Sequence, residues 1–112
     1  MDAFAVLADP ARRRVVEYLA DREVPAGELV EVLDAEFGLV QPATSRHLRR
    51  LRESGLVHSR SDGSRRLYSL DPVALREIDV WLDQFRGLWS EALSALDAEV
   101  RRGKSPIGNE DS

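Results

Sequence analysis

The residues with most to offer chemically lie between Gln41 and Leu70, QPATSRHLRRLRESGLVHSRSDGSRRLYSL, where seven arginines (46, 49, 50, 52, 60, 65 and 66) stand against only Glu53 and Asp62. This stretch carries a net charge of +5, while residues 1–40 carry −5 and residues 71–112 carry −4. One compact cationic unit in an acidic chain implies a polyanionic partner, most simply the phosphates of DNA. Covalent chemistry has no comparable support. The chain has no cysteine, which excludes disulfides, thiol nucleophiles and cysteine-bearing metal sites. Ser45 and His47 are two apart on a predicted helix and do not face each other, and no glycine-rich phosphate loop or acid pair frames a cleft. Neither His47 nor His58 has a second ligand at metal-like spacing. The acids Asp79, Asp83, Glu91, Asp97 and Glu99 alone suit a weak hard-cation site, not the nitrogen and sulfur shell of zinc or thiophilic ions. No enzyme, cofactor or metal is therefore expected.

Three elements must position the arginines. Thr44, Leu48 and Leu51 recur at i, i+4, i+7 and predict a helix from Gln41 to Ser54 with an inward apolar stripe. Pro42 lies in its first turn and Gly55 at its exit, both in favoured places. Val57 to Ser61 and Ser64 to Leu70 then read as two strands joined at Asp62-Gly63, a pair suited to a type I′ turn. Arg60, Arg65 and Arg66 fall around the tip. A basic helix followed by a basic hairpin outlines a winged helix-turn-helix, with the helix in the major groove and the hairpin along the backbone or in the adjacent minor groove.

The string SRHLRRLRESGLVHSRSDGSRRLYSL, with LADPARRRVVEYL near the start and GEL at 27–29, resembles the ArsR-type winged-helix repressors, the arsenic-repressor family. The likeness spans roughly residues 4–100. It implies a homodimeric DNA-binding repressor that pairs through its terminal helices. The family's cysteine metal motif is missing before the turn. The segment VEVLDAEFGLV is about four residues longer than the family's usual spacing, which predicts a longer helix or a larger turn at Asp34 to Gly38. Val40 replaces the usual serine cap.

The remaining chain fits one domain over residues 1–102 with a disordered tail over 103–112. Asp2 to Ala8 forms a helical turn or two, and Asp9-Pro10 starts a helix to about Ala20 that buries Val15, Val16 and Leu19. Arg12, Arg13 and Arg14 near its start either pair with nearby acids or touch phosphate. Asp21 to Pro25 reads as a loop. Ala26 to Phe37 forms the next helix, with Leu29, Val32 or Leu33, and Phe37 inward. Asp71-Pro72 opens a long helical region whose apolar residues Ile78, Leu82, Phe85, Trp89, Leu93 or Ala92, Leu96 and Val100 form a seam wanting a partner helix. Gly87 marks a close crossing or a kink. No stretch approaches the roughly 20 apolar residues of a membrane span, and a cytoplasmic protein is expected.

The fold class expected is mainly α with a small β-hairpin, a winged helix-turn-helix whose terminal helices form a dimer interface. Gln41, Ser45, Arg46 and Arg49 are the expected base readers; Arg46 suits the O6/N7 edge of guanine. Thr44, His47, Arg50, Arg60, Ser64, Arg65 and Arg66 are the expected backbone or wing contacts, and Tyr68 is expected to pack the base of the hairpin. Phe4, Leu7, Trp81, Phe85, Trp89, Leu93 and Leu96 are the expected dimer residues. The Trp81, Phe85, Trp89 stripe reads as core or dimer interface, or alternatively as a pocket for an unidentified apolar small-molecule effector. A competing reading is a protein-interaction module on the same scaffold without sequence-specific DNA binding.

Overall fold

The computed structural model describes residues 3–103. Apart from Gly103, the expected tail lies outside the described residues. The elements run α1 (Ala3–Val6), α2 (Pro10–Tyr18), β1 (Val24–Pro25), α3 (Ala26–Phe37), α4 (Gln41–Glu53), β2 (Val57–Asp62), β3 (Arg65–Leu70), α5 (Pro72–Asp83) and α6 (Arg86–Arg101). The chain divides into two compact units, one ending at Ile78 and the other beginning at Asp79.

The core lies in the first unit. Val6, Val15, Leu19, Val24, Leu29, Leu33, Leu48, Leu51, Leu56, Val57 and Tyr68 form one buried cluster to which α1 to α4 and all three strands contribute. Val16 and Leu7 pack against it half-buried. Asp9 caps α2, its Oδ1 accepting from Ala11 N (2.8 Å) and Arg12 N (3.2 Å). Pro10 follows at a position where no N–H is needed. Burial raises the Asp9 pKa, but the two amides together with the charges of His47 and Arg12 outweigh it and hold the carboxyl below its ordinary value. A depressed folded-state pKa means a contribution present above the unfolded value near 4 and lost as pH falls through the folded one. Asp9→Ala should therefore cost about 1 kcal/mol at pH 7, and urea unfolding at pH 7 and pH 3 should show the gap to the parent protein narrowing in acid.

α3 continues unbroken to Phe37 and ends on Gly38 in the left-handed conformation (φ 67°), where Leu39 N–H reaches back to the Leu33 carbonyl (3.3 Å). The residues beyond the usual spacing thus lengthen the helix, and the turn into α4 is only Gly38 to Val40. Phe37 does not point inward as expected. It is the last residue of α3 and lies 41% exposed.

The sheet has the order β1-β3-β2, all antiparallel. β1 was expected to be loop; Val24 and Pro25 instead pair with Tyr68 and Leu67. Pro25 is tolerated there because β1 lies at the sheet edge. The hairpin turn also differs by one residue. Asp62 pairs with Arg65, so the central pair is Gly63-Ser64. Only Gly63 has positive φ (63°), the pattern of a type II′ rather than a type I′ turn. Asp71 links the wing to α5: its amide donates to Leu56 O (2.9 Å), and its carboxylate accepts from Val73 N (2.9 Å) and meets His58 Nε2 (2.7 Å). Those bonds, the Val73 amide first, hold the Asp71 pKa below its ordinary value.

The expected long C-terminal helix is two helices. The break falls at Gln84 and Phe85, one turn before Gly87, which lies inside α6.

Candidate nucleic-acid interface

α4 presents two chemically distinct faces. Thr44, Leu48 and Leu51 are buried, whereas Gln41, Ser45, Arg46, Arg49 and Arg50 are exposed on the opposite side. This follows from the 3.6-residue period: the core takes positions four and three apart and leaves the intervening arginines to solvent. Among the described residues, no carboxylate lies within ion-pair distance of Arg46, Arg49, Arg50 or Arg52. The helix exit is closed by Ser54, which donates from Oγ to Leu51 O (2.7 Å) and accepts from Leu56 N (3.2 Å). Gly55 takes φ 84° to turn the chain toward β2.

Thr44 requires a correction. Expected at the DNA backbone, it is fully buried (0% exposed) and cannot touch a ligand, because it shares the inward stripe with Leu48. Its Oγ1 is buried without a hydrogen-bond partner. The Val40 carbonyl one turn back, its natural acceptor, already receives Ala43 N (3.0 Å) and Thr44 N (3.2 Å). Thr44→Val should thus stabilise the fold by about 1 kcal/mol, a rise of roughly 5 °C in thermal midpoint, with duplex affinity unchanged. A loss of affinity without stabilisation would return Thr44 to the contact surface.

The arginines of α2 and the wing are less free than those on α4, and within α4 one side chain is tied to a neighbouring element. His47 is half-buried, its Nδ1 3.3 Å from Arg12 Nη1. Arg12 donates to Val6 O (2.7 Å), and Arg13 to Leu7 O (2.9 Å) and Ala8 O (3.2 Å), closing the carbonyl end of α1. Arg14 grips Glu36 with both sides of its fork (2.7 and 3.1 Å) and lies over the Tyr18 ring. On the wing, Arg60 makes a bidentate bridge to Glu23 (2.8 and 2.9 Å), which lowers the Glu23 pKa chiefly through those hydrogen bonds. Arg65 pairs with Asp62 (2.9 Å) across the turn, and Arg66 donates to Ser59 Oγ (2.9 Å). Ser64 is exposed at the tip, while Tyr68 is buried and packs the hairpin's base. Glu23 was not recognised in the sequence. It stands 37 residues from Arg60, and no local spacing signals such a pair.

This arrangement can grip a phosphate backbone and read base edges, and comparison with known proteins gives it a context. A helix-turn-helix domain model matches residues 7–60. The HTH-type transcriptional regulator Rv2034 of Mycobacterium tuberculosis is 40% identical over 92 residues, covering 82% of this chain and 79% of that one. The arsenical resistance operon repressor of Staphylococcus xylosus is 33% identical over 78 residues, 70% of this chain and 71% of that one. The chain belongs to the ArsR-type family of helix-turn-helix transcriptional regulators. A crystal structure of a possible transcriptional regulator for arsenical resistance superposes with a TM-score of 0.66 at 38% identity, over 88% of this chain and 96% of that one. As an ArsR-type regulator the protein is a DNA-binding transcriptional regulator and not an enzyme. Its α3 and α4 are the helix-turn-helix, and the β2–β3 hairpin is the wing.

The second unit of this ArsR-type chain has a different surface. No residue of α5 or α6 is buried. Trp81, Leu82, Phe85, Leu88, Trp89 and Leu93 are exposed, and Leu96 is half-buried. Trp81 and Phe85 meet edge to face at 4.9 Å. The aromatic stripe is therefore not monomer core. Leu82, Phe85, Arg86 and Trp89 line a hollow of about 260 Å³. At the other end of the chain, Phe4 is also exposed. Among the described residues no group of three or more His, Cys, Asp or Glu is placed to hold a metal ion, and no helix is long and apolar enough to cross a membrane.

Proposed function

We propose that the protein is a homodimeric repressor that occupies an inverted repeat in promoter DNA in the cytoplasm and does not respond to metals. The observation that carries this reading is the outward face of α4, where four arginines stand without a carboxylate partner beside Gln41 and Ser45. Gln41, Ser45 and Arg46 read bases from the first two turns, with Arg49 at the start of the third; Arg50 and the wing residues Arg60, Ser64, Arg65 and Arg66 hold the backbone. His47 acts through its neighbour, steadying α4 against Arg12. Two copies pair through the terminal helices, covering Trp81, Phe85, Trp89, Leu93 and Leu96 with Phe4 and Leu7. Their recognition helices would then meet half-sites about 34–36 Å apart. A chain without cysteine offers no thiolate shell for thiophilic ions.

Selection of bound sequences from a random duplex pool at two salt concentrations tests this reading. A recovered palindrome whose affinity falls steeply with salt is the expected result; no enrichment at either salt overturns it. Within that site, Arg46→Ala should lower discrimination at one base pair by about 1–3 kcal/mol. Arg50→Ala should weaken binding to all duplexes alike and reduce the salt slope by about one. Equal, sequence-blind losses from both variants would refute the assigned division of labour.

A further inference from the structure

Val40 occupies the N-cap of α4, a place that favours Ser, Thr, Asp or Asn because their side chains accept from the orphan amides of the first turn. Here no side chain caps the helix. The β-branched side chain forgoes that hydrogen bond and yet is not used in the core, since 67% of its surface is open to solvent. Its backbone is firmly placed: the left-handed Gly38 and the Leu39 to Leu33 closure fix the turn before it, and its carbonyl receives the Ala43 and Thr44 amides after it. An apolar group held rigidly in water at the leading end of the recognition helix suits a partner that offers an apolar counterpart. The exposed neighbours Gln41, Arg46 and Arg49 on α4 show what kind of partner that is: a polyanion with hydrogen-bonding edges.

Duplex DNA presents one apolar group in its major groove, the 5-methyl of thymine. We propose that Val40 is a specificity-determining residue that packs on a thymine methyl, while the adjacent Gln41 takes the N6 and N7 edge of adenine at the same A·T pair or its neighbour. Each half-site then carries a required A·T pair under the helix entrance, with the guanine read by Arg46 further along. This inference rests on the DNA-binding reading above and adds the base that the helix entrance selects.

The test uses the full chain and the palindrome recovered by selection. Each thymine of one half-site is replaced in turn by deoxyuridine, which removes only the methyl group. The parent protein is expected to lose about fourfold in affinity at one position, the worth of one buried methyl group. Val40→Ser restores a cap acceptor and so should fold well; it is expected to bind the thymine and deoxyuridine duplexes equally. Val40→Ile should retain the sensitivity. A parent protein indifferent to every replacement, or an equal loss in the parent and Val40→Ser, overturns the assignment while leaving sequence-specific binding intact. Failure to retain any duplex removes both readings together.

Discussion

Trp89→Asp is expected to leave the protein monomeric and to weaken binding to the proposed palindromic site by about a hundredfold to ten-thousandfold. The indole is 65% exposed and lies in the company of Leu82, Phe85, Leu88 and Leu93, an apolar surface that α5 and α6 do not bury among themselves. Covering it with a second copy removes several large side chains from water at roughly 25 cal/mol per Å² of apolar area. In a two-fold interface the aspartate appears twice, so each dimer would bury two unpaired carboxylates. The loss of DNA affinity follows from linkage, since a monomer engages one half-site and forfeits an effective-concentration gain of about 10²–10⁴. Sedimentation would give the mass and titration of a labelled duplex the affinity. The thermal stability of residues up to Ile78 should hardly change, because Trp89 is absent from their core. A dimeric Trp89→Asp with full affinity would move the interface elsewhere.

Leu51→Ala should destabilise the fold by about 2–5 kcal/mol. Leu51 is wholly buried on the inner face of α4, so truncation leaves a cavity beneath the helix that carries the arginines. A domain of this size has about 5–15 kcal/mol to lose, and the thermal midpoint should fall by about 10–25 °C. Urea unfolding measures the change directly. Duplex binding at low temperature should persist, because the outward residues remain on the helix; its loss at temperatures where the parent still binds would follow the unfolded fraction. A change below about 1 kcal/mol would mean that α4 is not anchored through Leu51.

How far the sequence could be read depended on the range of the forces involved. α4 was legible because its period, proline entrance and glycine exit are all local, and the inward Thr44, Leu48 and Leu51 came from spacing alone. The same spacing argued against assigning Thr44 to DNA. The hairpin was legible too, but Asp62-Gly63 and Gly63-Ser64 both place a glycine in the turn, and only cross-strand register decides between them. β1 had no local signature; two residues become a strand by meeting Tyr68 and Leu67 more than forty positions away. The break at Gln84 and Phe85 contains neither glycine nor proline, so a pattern continuing at threes and fours passed straight over it. The arginines were visible, but their freedom was not. Charge counting treats Arg49 and Arg60 alike, whereas Glu23 already occupies one of them.

That last difference sets an order of events when the protein meets DNA. Long-range attraction acts through charge that is not already compensated nearby. Arg60 and Arg65 each sit beside a carboxylate and only Arg66 on the wing lacks one, so at a distance the wing projects less field than the open arginines of α4. On the proposed reading, the α4 arginines therefore contribute most to the encounter and the rate of arrival. If Arg60 and Arg65 hold the backbone as proposed, they exchange Glu23 and Asp62 for phosphate only at contact range, and the wing then acts on how long the complex lasts. The proposed contacts would thus divide approach and residence between separate parts of one short cationic segment.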